Sequence, residues 1–186
     1  DARGAFVAPG FIDMHAHSDF SLLAVPSAEA KVRQGVTTEV TGMCGFSPAP
    51  APPGGGLLRE WAAFLSTALA WDWTSFSSWL DRLRQAGLTA NVVPFVGHGT
   101  LRIATMGFAP RPPTADEQGR MAALLADALD AGAFGLSTGL IYAPSVYAET
   151  AELVALARVL AARPGRLYAS HIRGEGPTLE RAIAEA

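Results

Sequence analysis

Four histidines and one cysteine carry most of the chemistry that this 186-residue chain can offer. Asp13-Met14-His15-Ala16-His17 closes a segment that reads as a strand. Alternate strand residues share a face, so His15 and His17 point the same way, and two imidazoles at that spacing can grip one metal ion. Asp13 shares the face and could orient an imidazole from behind. Cys44 follows a second strand in Thr41-Gly-Met-Cys-Gly45. A lone cysteine is most often a buried small hydrophobe, but a thiolate is also a strong zinc ligand that can bridge two ions. Gly42 and Gly45 would let the backbone approach a ligand closely. His98 ends a third strand and His171 a fifth. All four histidines thus fall at strand C-termini, where β/α barrels gather their active-site groups. Packed or solvated histidines are the plain alternative; chance placement would scatter them.

The elements that must position these residues alternate along the chain. Strands are expected over Phe11–Ala16, Val36–Thr41, Asn91–Val96, Phe134–Thr138 and Leu167–Ser170. They are nearly continuous apolar runs, which suits a parallel sheet covered on both faces. Helices are expected over Ala28–Gln34, Leu57–Leu69 and Thr74–Ala86, then after Thr114, Thr150 and Leu179. Phe76, Trp79, Leu80 and Leu83 recur at spacings of three and four and make one apolar face. Thr114-Ala-Asp-Glu117 matches a capping box ahead of Met121, Leu124, Leu125, Ala128 and Leu129. Strand–helix alternation predicts βαβ units in an α/β fold. Ser47-Pro-Ala-Pro-Ala-Pro-Pro-Gly-Gly-Gly56 reads as a surface loop of partly polyproline character. Trp71, Trp73 and Trp79 read as core rather than as a stacking platform for a ligand.

Composition narrows the classes. The chain is 49% hydrophobic and 17% charged, with a formal net charge of −3. That is a globular composition, with no electrostatic reason to expect nucleic acid. No apolar run reaches the ~20 residues that span a membrane. One cysteine rules out an intrachain disulfide. With no signal segment apparent, the expectation is a cytoplasmic location. Five β/α units fall short of the ~250 residues of a closed eight-stranded barrel, so an incomplete TIM-type barrel is expected. Lys31 is the one lysine, on the helix before the second strand. Many two-metal barrel hydrolases bridge their ions with a carboxylated lysine at the end of the fourth strand. Here that strand ends in Gly135-Leu-Ser-Thr-Gly139, so a sulfur bridge from Cys44 is the natural substitute.

At this point the chain resembles a known family. Pro9-Gly-Phe-Ile-Asp-Met-His-Ala-His17 is similar to the opening of amidohydrolase-superfamily barrels. Gln34-Gly-Val-Thr-Thr38, Thr41-Gly-Met-Cys-Gly45, Val96-Gly-His-Gly-Thr-Leu-Arg102, Gly135-Leu-Ser-Thr-Gly-Leu-Ile-Tyr142 and Tyr168-Ala-Ser-His-Ile-Arg-Gly-Glu175 resemble D-aminoacylases, the N-acyl-D-amino-acid deacylases. The resemblance implies hydrolysis of a small N-acyl-D-amino acid to a carboxylate and a D-amino acid. It implies zinc as cofactor, held tightly by Cys44 and His171, with His15 and His17 lining a second, weaker position. A further histidine from a sixth strand and a catalytic aspartate from an eighth are expected in the family and fall outside this sequence. Residues 1–8 would be the end of a small N-terminal β-domain or a lead-in, and 9–186 the first part of the barrel, inactive by itself. The substrate carboxylate invites a bidentate arginine; Arg173 is the first candidate, with a salt bridge to Glu175 or a neighbour as its alternative. Tyr142 and Ser137 could line the pocket. For these two and His98, structural hydrogen bonding is as open as substrate contact. Cyclic amides or N-acyl-D-Glu and N-acyl-D-Asp are alternative substrates, and a metal-free barrel with a binding role is the alternative of another class.

Overall fold

The computed structural model describes residues 1–65 and 69–186. Five parallel strands, β1 (Phe11–Asp13), β2 (Val36–Thr41), β3 (Asn91–Gly97), β4 (Gly135–Gly139) and β5 (Leu167–His171), pair in chain order. They form a curled half-barrel of the TIM type. The register brings the strand ends level, with Gly97 beside Ser137 and Gly139 beside His171. Among the described residues six helices connect the strands, α1 (Glu29–Val32), α2 (Gly56–Trp61), α3 (Phe76–Ala86), α4 (His98–Met106), α5 (Ala115–Ala131) and α6 (Thr150–Ala161), and α7 (Leu179–Glu185) follows β5. Residues 1–10 precede β1 and are exposed. No described helix is long and apolar enough to cross a membrane.

The long helices form where caps and apolar faces coincide. At α5 the Thr114 hydroxyl accepts the Glu117 N–H, and the Glu117 carboxylate accepts the Thr114 N–H at 2.8 Å, a reciprocal box. The Arg111 fork on Glu117, with the Thr114 N–H, holds that carboxyl down to about 2, so the box keeps its charge at ordinary pH. Behind the cap, α5 buries Met121, Leu125, Ala128 and Leu129. In α3, Ser75 and Ser78 make a second box, Phe76, Trp79 and Leu83 are buried, and Gly87 ends the helix in the left-handed region (φ 68°) that a side chain would resist. Trp71, Trp73 and Trp79 are core residues, and the Trp73 indole donates to the Pro48 carbonyl at 2.8 Å. The opposite face of the sheet is an apolar cleft inside the curl, lined by Met14, Val40, Val93, Phe95 and Tyr168, with His15 among them.

Four local expectations are corrected. β1 stops at Asp13, because the Asp13 carboxylate accepts the His15 N–H at 3.1 Å and turns the chain. His15 and His17 therefore converge from a bend rather than by strand alternation. Residues 47–51 are buried, not a surface loop. Ser47 and Thr100 satisfy their backbone: the Ser47 N–H donates to the Thr100 hydroxyl at 2.9 Å, and the Gly97 N–H donates to the Ser47 hydroxyl at 3.0 Å. α4 was not anticipated, and His98 opens that helix instead of closing β3. The helix expected over Leu57–Leu69 is observed as α2, Gly56–Trp61; the far end of the expected span, 66–68, lies outside the described residues.

Candidate metal centre

The bend after β1, the loop after β2 and the end of β5 bring His15, His17, Cys44 and His171 together. One donor atom each from His15, His17 and Cys44 lies within 4.8 Å of the others. The Cys44 sulfur stands 3.1 Å from Nε2 of His15 and 3.5 Å from Nδ1 of His171. The imidazoles of His15 and His17 meet edge to face, 5.5 Å apart. Thiol and imidazole are the ligand types that zinc prefers, and the spacing is that of donors around one ion. A further sign is the Nδ1 of His17, which is buried with no hydrogen-bond partner; a polar atom in that state calls for an occupant.

Burial prepares the protonation states. It pushes the His17 ring below its usual range, helped by the charge of His15, so the imidazole is neutral and free to ligate at pH 7. It pushes the Cys44 thiol up, so the free site holds a thiol and a cation must displace its proton. Asp13 does not orient an imidazole. Its carboxylate pairs with Lys31, which holds it below the usual range, and it fixes the His15 backbone instead.

Cys44 itself is strained. It sits at φ 54°, between Gly42 at 76° and Gly45 at 78°. A non-glycine residue in the left-handed region costs about 1–2 kcal/mol and persists only where its surroundings fix it. Here backbone fixes it. A Cβ on Gly42 would lie 2.0 Å from the Phe95 carbonyl oxygen, one on Gly97 2.2 Å from that of Gly45, and one on Gly139 2.0 Å from that of Cys44. The glycines thus admit neighbouring strands rather than a ligand. Ser137 staples the same loop from β4: its hydroxyl donates to the Gly42 carbonyl and accepts the Gly45 N–H at 3.0 Å. Gly139→Ala is therefore expected to displace the Cys44 peptide and destabilise the protein by about 2–3 kcal/mol. Chemical denaturation, read beside zinc content, measures both effects.

The remaining candidates are placed differently. The Tyr142 hydroxyl lies 3.4 Å from Nδ1 of His171, and the two rings meet at 5.0 Å. Burial, with Cys44 and Glu175 nearby, raises the Tyr142 phenol above its usual range, so it stays a donor. His98 is fully buried at the start of α4, with Nδ1 2.9 Å from the Ser145 hydroxyl and Nε2 2.8 Å from Glu152. Arg173 turns away from Cys44. It forks onto Glu185 of α7 at 2.8 and 3.0 Å and donates to the carbonyls of Val146 and Ala148. Of the eight sequence candidates, the four ligand-type residues and Tyr142 come together; Ser137, His98 and Arg173 support them from outside.

Sequence reasoning missed an aromatic group beside the site. Phe46 stacks on Trp61 with centroids 4.0 Å apart. It also meets Phe64 at 5.6 Å, Tyr142 at 5.5 Å and His17 at 5.9 Å. Its place two residues past Cys44 was the only available signal; Trp61 and Phe64 lie on another segment.

Known proteins resemble this chain in sequence and in fold. The model of the amidohydrolase family matches residues 1–177. The chain is 46% identical to an N-acyl-D-glutamate deacylase and 43% identical to an N-acyl-D-aspartate deacylase, both from Alcaligenes xylosoxydans xylosoxydans. In each case all of the chain aligns with 37% of the relative, so the chain spans little more than a third of their length. A crystal structure of D-aminoacylase superposes with a TM-score of 0.84 at 41% identity, over 95% of this chain and 37% of that one. An N-acyl-D-glutamate deacylase from Bordetella bronchiseptica, complexed with zinc and a phosphonate that mimics the tetrahedral intermediate, superposes with a TM-score of 0.83 at 42% identity, over 96% of this chain and 37% of that one.

Proposed function

The chain belongs to the amidohydrolase family, and from that premise we propose that it supplies the thiolate-bearing part of a zinc site in an enzyme that hydrolyses N-acyl-D-amino acids. The observation that carries this is the meeting of Cys44 with His15 at 3.1 Å and His171 at 3.5 Å, from segments far apart in the chain. Cys44, His171, His15 and His17 would hold the zinc, with Cys44 central enough to serve two ions. When bound, the metal would polarise the amide carbonyl and acidify a water.

The chain's own residues would do the rest. The strained Cys44 loop, pinned by Ser137 and Gly139, fixes the sulfur against the imidazoles of His15 and His171. The neutral His17 offers a lone pair without first losing a proton. Tyr142 keeps its phenolic proton and can donate it to a substrate oxygen beside His171. The Phe46 ring shields that corner from water. Arg173 and His98 act as supports, one tying α7 to the loop after β4, the other anchoring that loop to α6.

The test is a substrate panel on the full-length protein: N-acetyl-D-methionine, N-acetyl-D-glutamate and N-acetyl-D-aspartate, their L-isomers, and hydantoin. At least one D-substrate should exceed its L-isomer by about a hundredfold or more in kcat/KM. The acidic D-substrates belong in the panel because the two relatives named for them are 46% and 43% identical to this chain. Equal rates on D- and L-isomers, or hydrolysis of hydantoin alone, would contradict the proposal.

A further inference from the structure

One apolar feature beside the site has no part in holding metal. We infer that Phe46, Trp61 and Phe64 form a subsite for an apolar acyl chain of the substrate, an assignment that rests on the deacylase reading above. The rings make one continuous wall. Phe46 is in ring contact with both His17 and Tyr142, the innermost groups, and on its other side with Trp61 and Phe64. A substituent on a carbonyl held at Cys44 meets Phe46 first and the other two rings next. Phe46 is buried at the inner end of the cluster and Phe64 is 72% exposed at its outer end, so the wall runs from the site outward.

Chemistry selects which half of the substrate fits. The amine half carries a carboxylate beside the scissile nitrogen, and a carboxylate against hydrocarbon loses hydration with no partner in return. None of the three wall rings, Phe46, Trp61 and Phe64, carries a charge that could pair with it. The acyl half carries no charge and gains by leaving water. The wall is also rigid. Trp61 lies flat on Phe46, 11° from parallel, and its far edge packs so closely on Gly99 that a Cβ there would stand 2.7 Å away. A preformed surface spares the cost of ordering on binding.

The experiment follows kcat/KM of the full-length protein along N-formyl, N-acetyl, N-butyryl and N-hexanoyl derivatives of one D-amino acid. The wild type should gain about threefold to fourfold per methylene that reaches the wall. In Phe64→Ala the hexanoyl-to-formyl ratio should fall by about tenfold, and Phe64→Leu should restore most of it. Phe64 is exposed enough that its loss leaves the fold intact, and Trp61→Leu provides a second, independent reading of the same ratio. An active enzyme whose ratio is unchanged in both variants overturns the subsite while leaving the deacylase reading standing. A change in preference among D-side chains, with the acyl series unmoved, overturns the acyl assignment. Absence of deacylation with every acyl group removes both readings together.

Discussion

Replacing Cys44 with alanine should lower kcat/KM of the full-length protein for its best N-acyl-D-amino acid by about a thousandfold or more. The sulfur is the one atom that both His15 and His171 face, at 3.1 and 3.5 Å. Alanine keeps the backbone but removes the donor that a cation would bind most strongly. Serine should do no better, because its hydroxyl does not ionise at neutral pH and the larger thiolate radius is lost. The fold should survive either change. Cys44 is a small side chain, and the glycine contacts that shape its loop are made by backbone. Thermal melting of the apo-protein checks this, and a drop of more than about 1 kcal/mol would mean that packing, not ligation, had been removed.

The second large effect concerns stability. Glu152 of α6 is buried between two partners: His98, whose Nε2 lies 2.8 Å from Oε1, and Arg102, whose Nη1 lies 2.6 Å from Oε2. Both partners are fully buried. Arg102 also donates to the carbonyls of Ala109 and Arg111, so its guanidinium ties α4, α6 and the lead into α5 to one point. Glu152→Ala leaves that guanidinium in the interior without a counter-charge, which costs about 3–5 kcal/mol. The same principle predicts that the double variant Arg102→Met, Glu152→Met recovers much of the loss, since it removes both charges and fills the volume. Urea denaturation of the single and double variants decides. A double variant as unstable as the sum of its parts would show that the carbonyl contacts of Arg102, and not the ion pair, hold the three segments together. Because Ser145 hangs from His98, the Glu152 change should also loosen the loop that presents Tyr142.

The candidate site was largely legible in the sequence because its signals are local. His15 and His17 are two residues apart, Cys44 stands between glycines, and each lies just past a strand whose apolar run is easy to see. The order of the five strands followed from strand–helix alternation. What could not be read depends on contacts far apart in the chain. The early end of β1 is set by the Asp13 side chain, which competes with strand pairing. The burial of 47–51 depends on Ser47 meeting Thr100, and a Pro-Ala run looks exposed until its carbonyls find those partners. Glu152 reads as a solvated residue on an amphipathic helix, and only the fold brings it to Arg102. Ser137 and Arg173 have residue types suited to a substrate, yet the first faces the Cys44 loop and the second reaches α7. The aromatic wall joins two segments on either side of a proline-rich stretch, so no periodicity reveals it.

The account turns on whether Cys44 ligates the metal, and cobalt substitution tests that directly. Co(II) loaded into the full-length protein should give an intense near-ultraviolet band of thiolate-to-cobalt charge transfer, with strong visible bands of low coordination number. The charge-transfer band should vanish in Cys44→Ser while the protein stays folded. The same band in wild type and Cys44→Ser, or none in either with cobalt fully bound, would contradict the account.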